Sequence, residues 1–357
     1  MLIVRLIQTG CITGTLIFGN IGRNAQSIIV NSKLEKTQTA ASRLSKQESS
    51  VGIYFNNVAH DSRSNIWVSG SLWLLQGLLL TINGAETRVT LLPDITTVRS
   101  LTFTSPSNGW AIGDYCNLYA TFDEGKTWRE SLTTEANLTS ICFIDALNGW
   151  VSGWHGNIYH TSDGGGSWSK QNSGTGYDLS KVTFVDKSRG WAIGGGTTAG
   201  PSGKWSSVLI TSSDGGQTWQ PLSTAPPLRS IVFVNASRGS GLDLEGNIYS
   251  TVDSGRTWSL RYKAHGRDLR SIFFLDASRG WAAGVIVVHT TDGGMSWSRT
   301  AEKKLEYSLD DVVFADRFNG WGISQYPVRF YRTMDGGETW LLLEDWKNQL
   351  VQAIRGG

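Results

Sequence analysis

Six aspartates, Asp123, Asp163, Asp214, Asp253, Asp292 and Asp335, stand in one repeated phrase, S/T-x-D-x-G-x-S/T-W, which ends at Trp128, Trp168, Trp219, Trp258, Trp297 and Trp340. Carboxylates of this kind can bind metal, act as acid and base in glycoside cleavage, or close turns. Tryptophan can form a sugar-binding shelf or a core. The neighbours of each aspartate favour the turn. A glycine two residues on supplies a positive φ, and a Ser or Thr four residues on offers an amide and a hydroxyl to the carboxylate.

The elements that position these residues follow from the spacing. Successive aspartates lie 40, 51, 39, 39 and 43 residues apart, a period that suits a four-stranded propeller blade. A second phrase precedes each box: an apolar run ending in Phe, then Gly-Trp. It reads Leu101-Thr102-Phe103 with Gly109-Trp110 in one unit and Ile141-Cys142-Phe143 with Gly149-Trp150 in the next. Each unit predicts four strands. A ends in Phe, B carries Gly-Trp, C runs into the box, and D leaves through the box tryptophan. Ser240 replaces the strand-B tryptophan in one copy. A worn seventh unit holds Trp67, with Asn83 and Arg88 where Asp and Trp are due. The expected fold is all-β, a seven-bladed propeller of four-stranded antiparallel blades over residues 51–346; six blades and a cap is the competing count.

Composition agrees. Of the 16 tryptophans, 12 fall at the two repeated positions, which argues for core. A net charge of +2 with 17% charged residues gives no bulk charge for nucleic acid. Residues 1–27 read as a signal peptide or anchor, 28–50 as a flexible linker and 347–357 as a tail. Export is expected. Cys142 reads as a buried small residue and Cys116 as a loop thiol, the pair that a bridge between adjacent blades would join. His60, His155, His160, His265 and His289 are dispersed, so neither a metal nor a cofactor is expected. Asp114, Asp243 and Glu245, near B–C turns, are the carboxylates that catalysis would have to use.

The phrase resembles the Asp-box, or bacterial neuraminidase repeat. Sialidases carry it irregularly on six blades with an arginine cluster and a Phe-Arg-Ile-Pro phrase. Here the boxes are regular and the first unit reads Val51-Gly52-Ile53-Tyr54-Phe55-Asn56. The joint phrase F-x-D-x-x-x-G-W-x-x-G followed by T-x-D-G-G, clearest from Phe143 to Gly165, is similar to the photosystem II stability and assembly factor family. That resemblance implies a seven-bladed, non-enzymatic propeller of the thylakoid lumen or periplasm, monomeric, with peripheral membrane association. It implies binding of a reaction-centre precursor, or another membrane-complex subunit, through an arginine-rich patch, and no nucleic acid. A secreted Asp-box glycoside hydrolase and a generic extracellular binding module are the alternatives.

In an up-and-down blade the boxes share a face with the A–B turns, and the B–C and D–A connections share the other. The variable insertions, Gly195 to Trp205 and Gln325-Tyr326-Pro327, fall on that second face, where binding loops tend to sit. Arg99, Arg229 and Arg270 recur there at one equivalent position, with Lys181 displaced by one. They are expected to ring the mouth of the central channel and to receive acidic or carboxylate groups of a partner. Arg189, Arg238 and Arg279 precede the Gly of strand B on the box face and read as turn caps.

Overall fold

The computed structural model describes residues 53–344 and 347, apart from 62–64, 73–75, 84–85, 93–94, 114–115, 198–204, 267–268 and 301–304. The expected leader and linker, and the tail save Lys347, lie outside these residues. The described residues form seven four-stranded antiparallel sheets, each in simple sequence order. Blade 1 spans 53–92, blade 2 98–133, blade 3 138–172, blade 4 178–221, blade 5 228–262, blade 6 269–299 and blade 7 311–343. Successive A strands pack side by side, and strand A of blade 1 (Ile53–His60) packs against that of blade 7 (Asp311–Phe314), so the ring closes.

Among the described residues no strand is exchanged at the closure. Blades 1 and 7 share a core of Phe55, Val58, Ile66 and Val68 with Val313, Trp321, Ile323 and Phe330. Asp311 of blade 7 accepts from Asn57 Nδ2 (3.0 Å) and the Val58 amide (3.1 Å) of blade 1. It also accepts from Ser271 Oγ (2.7 Å) of blade 6.

Within a blade the box is a turn closed by its own side chains. Asp163 Oδ1 accepts from the Ser167 amide (2.9 Å) and Oδ2 from the Ser167 hydroxyl (2.6 Å). Thr161 Oγ1 donates to Asp163 Oδ1 (2.8 Å) and accepts from the Gly165 amide (2.9 Å). Gly164 and Gly165 have φ of 75° and 88°, where a side chain is strained. The A–B turn docks on the box, as in Gly164 N donating to Leu147 O at 2.9 Å. That turn has its own cap, for Asp145 Oδ1 accepts from the amides of Leu147 (2.8 Å) and Asn148 (2.7 Å). The amides of Arg189, Arg238 and Arg279 are held by Asp186, Asn235 and Asp276 in the same way.

These bonds hold the box carboxyls low. Asp123 titrates at about 2, lowered from 3.8 by the hydroxyl and amide of Thr127. At Asp292 burial works the other way, but the bonds from Ser296 outweigh it and the carboxyl also falls to about 2. A carboxyl depressed on folding contributes stability that is complete above its unfolded value and is lost as pH falls through the folded one. The melting temperature should therefore be flat from neutral pH down to about 5 and fall steeply between about 4 and 2. A thermal-denaturation series against pH checks this, with Asp292→Asn showing a shallower fall.

The blades are joined by aromatic layers. The strand-B tryptophan of one blade stacks on the strand-A phenylalanine of the next: Trp67 on Phe103 (4.2 Å between centroids), Trp110 on Phe143 (3.7 Å) and Trp150 on Phe184 (3.7 Å). Trp191 on Phe233 (3.6 Å) and Trp281 on Phe314 (3.8 Å) continue the series. The box tryptophan meets the same phenylalanine edge-on, as Trp168 does Phe143 at 6.0 Å.

Strand B reaches forward to the next blade, and one box tryptophan, Trp168, reaches back to Ser131 Oγ of blade 2 (3.0 Å). Trp110, Trp150, Trp191 and Trp281 donate Nε1 to a box carbonyl of the following blade, at Gly164, Gly215, Ser254 and Gly336. The box tryptophans Trp128, Trp258, Trp297 and Trp340 bond a carbonyl of their own turn.

The Gly of Gly-Trp is needed because the phenylalanine lies on it. A Cβ at Gly149 would meet the Phe143 ring at 2.4 Å. Gly149→Ala should cost about 1–3 kcal/mol through overpacking. At Gly176 nothing lies within 4 Å of a Cβ, and the same change there should be near neutral in urea denaturation.

Candidate functional site

The face opposite the boxes is built from the first residues of the A strands. In blades 1, 2, 4, 5 and 6 the A–B register slips by one residue there, between Phe55 and Asn57, Val98 and Ser100, Leu179 and Lys181, Leu228 and Ser230, and Leu269 and Ser271. Blade 3 slips opposite Thr139. The extra residue of each bulge is thus Asn56, Arg99, Thr139, Ser180, Arg229 or Arg270, and Asp310 precedes strand A of blade 7 at the same place. Bulges of this kind re-aim side chains at the rim of closed sheets.

The three arginines occupy this rim and are exposed. Arg229 and Arg270 are also tied to the neighbouring blade. Arg270 Nη1 donates to Asp310 Oδ1, and Arg229 Nη2 donates to the Arg270 carbonyl at 3.1 Å. Uncharged rim residues make the same kind of link: Asn56 Nδ2 to Val98 O (2.8 Å), Thr139 Oγ1 to Leu179 O (2.5 Å) and Gln325 Nε2 to Phe55 O (2.7 Å). Asp310 sets an acid among the arginines, so the rim alternates in sign across blades 6 and 7. Exposed ion pairs of this type add little stability and leave guanidinium edges for a ligand.

Lys181 lies one residue beyond the bulge and is half-buried. Burial pushes its pKa down, while the charge of Asp311 across the ring acts to raise it. Lys181 belongs to the wall of the channel, and the three arginines to its lip.

Around the rim stand the B–C turns. The blade 4 insertion continues the hairpin, with Gly195 paired to Ser207, Gly196 to Ser206 and Thr197 to Trp205; its tip is outside the described residues. Trp154 (39% exposed), Leu244 (48%) and Tyr326 (76%) present apolar surface from blades 3, 5 and 7. Trp154 begins a 3-10 turn, Trp154–Gly156, in which His155 has φ 58° and its amide donates to Asp178 Oδ1 at 2.9 Å.

Of the carboxylates singled out for catalysis, Asp243 and Glu245 share Asn247 Nδ2, at 2.8 and 3.4 Å. Asp243 is buried and accepts from the Glu245 and Asn247 amides, each at 2.9 Å, and from Asn247 Nδ2 at 2.8 Å. It closes its turn. Asp114 is outside the described residues. No group of three or more His, Cys, Asp or Glu among the described residues is placed to hold a metal ion. Cys142 is a free thiol, so it does not pair with Cys116; burial pushes its pKa up. No helix among the described residues is long and apolar enough to cross a membrane.

Residues 85–173, from the last strand of blade 1 to the end of blade 3, match the family model of the photosynthesis system II assembly factor YCF48. The match covers about a quarter of the chain, and the remaining blades repeat the same two phrases. Among solved structures, YCF48 bound to D1 peptide is 18% identical with a TM-score of 0.62, covering 80% of this chain and 94% of that one. YCF48 from Cyanidioschyzon merolae is 16% identical with a TM-score of 0.58, covering 83% and 97%. The computationally designed Ika8 protein is 10% identical with a TM-score of 0.55, covering 82% and 86%. At these identities the superpositions show the seven-bladed fold alone. No curated protein matches the chain.

Proposed function

We propose that this propeller is a non-catalytic scaffold for photosystem II assembly, exported to the thylakoid lumen or periplasm, which holds a reaction-centre precursor polypeptide on the face opposite the boxes. The observation that carries this reading is the YCF48 family match over residues 85–173. The shared fold of YCF48 bound to D1 peptide supports the kind of client.

The placement on the face rests on its chemistry. Arg99, Arg229 and Arg270 offer planar donors to carboxylates from a fixed rim. Trp154, Leu244 and Tyr326 offer amphipathic and apolar contact around them. The box face has its carboxylates committed to turns, with Asp163 and Asp123 engaged through both oxygens. A rigid ring bearing an exposed, mixed basic and apolar face can hold an extended segment without chemistry.

The immobilised full chain should capture reaction-centre precursor from solubilised photosynthetic membranes. Absence of capture would contradict the client. In a parallel assay the chain should leave sialyl and β-glucan substrates intact, and robust turnover of either would contradict the non-catalytic reading.

A further inference from the structure

The wall of the channel carries a second feature, independent of the rim and its client. Next to each bulge, one strand-A residue stands at an equivalent register position: Asn57, Ser100, Ser140, Lys181, Ser230, Ser271 and Asp311 in turn, and the side chains of Asn57, Ser140, Ser271 and Asp311 bond the following blade. Their acceptors serve the outward N–H of the neighbour's edge. Asn57 Oδ1 takes the Leu101 amide (3.2 Å), Ser140 Oγ the Val182 amide (3.3 Å) and Asp311 Oδ2 the Val58 amide (3.1 Å). Strand pairing puts Ile231 in the register of Leu101 and Val182, opposite Gly241 as they are opposite Ala111 and Ala192.

The residue facing Ile231 from blade 4 is Lys181. It is the one member of this series with no acceptor atom, and it makes no hydrogen bond or ion pair with the described residues. At the blade 4–5 seam two donors, the Ile231 amide and the Lys181 ammonium, therefore stand where the seams at Leu101, Val182 and Val58 pair a donor with an acceptor. A half-buried ammonium and an edge amide without acceptors are both costly. One anionic oxygen between them satisfies both.

We propose that the channel binds a small carboxylate or oxyanion at this seam, held by Lys181 and the Ile231 N–H. Asp311 faces the site from blade 7 but is already saturated by Asn57, Val58, Ser271 and the Val312 amide (3.0 Å), so it does not occupy the position itself.

Isoleucine-selective ¹⁵N labelling of the full chain, with the Ile231 amide assigned by Ile231→Val, gives a direct readout. Acetate and inorganic phosphate are titrated separately to learn which oxygen anion the site takes. The Ile231 resonance should move saturably with at least one of them, and the affinity should fall tenfold or more in Lys181→Gln. Either an Ile231 amide that does not respond saturably to acetate or phosphate in the wild type, or an equal response in Lys181→Gln, would overturn the site. The wild-type titration decides even if the variant fails to fold.

Discussion

Trp191→Ala should lower the stability of the propeller by about 3–5 kcal/mol, the range for truncating a buried tryptophan. Trp191 is 1% exposed, lies flat on Phe233 at 3.6 Å, and donates Nε1 to Ser254 O at 2.8 Å. Truncation leaves a cavity between blades 4 and 5 and an orphaned carbonyl in the blade 5 box. At the next seam, where Ser240 stands in place of the tryptophan, Phe274 is left half-buried. Urea denaturation followed by tryptophan fluorescence measures the loss.

Asp311→Ala should be nearly as severe, about 3 kcal/mol, because a charged acceptor is removed from several donors at once. The Asn57 amide group, the Val58 N–H and the Ser271 hydroxyl would all lose their partner at the seam that closes the ring. Asp311→Asn keeps one acceptor oxygen and should cost roughly half as much. Closure here relies on side chains and packing, since among the described residues no strand crosses from one end of the ring to the other. The loss should therefore show first as faster amide exchange in blade 1. Uniform acceleration in all seven blades would argue that Asp311 has no special part in closure.

Much of this architecture is legible in the sequence because the repeat writes the same local solution six times. The box declares its turn through Asp163, Gly165 and Ser167, and the apolar run and Gly-Trp declare the strands around Phe143 and Trp150. The worn unit at Trp67 and Asn83 kept its register, and it forms blade 1. What could not be read is how side chains cross between blades. The two tryptophans of a unit look alike in sequence, yet Trp281 bonds the neighbour's box while Trp297 bonds its own turn. The rim arginines show in the sequence by their recurrence, whereas the bulge that aims them adds no residue that stands out. A faint signal existed: the apolar alternation breaks by one position in Val98-Arg99-Ser100-Leu101 and again in Leu228-Arg229-Ser230-Ile231. That same slip turns Lys181 from a displaced rim residue into a channel residue. Asp310 and Asp311 lie in the only copy with two acids at this place, and their opposite duties, one at the lip and one at the closure, appear only when the ring is assembled.

The most direct test of the scaffold reading is the affinity of the full chain for a fluorescent D1 peptide, measured by anisotropy for the wild type and for a variant combining Arg99→Glu, Arg229→Glu and Arg270→Gln. Glutamine at 270 avoids setting a second acid against Asp310. These side chains are exposed, so the variant should keep the wild-type circular dichroism. The wild type should bind saturably and the variant at least about tenfold more weakly, with the difference shrinking as salt is raised. Equal affinity of the two proteins would contradict the rim as the binding surface, and absence of binding by the wild type would contradict the scaffold function itself.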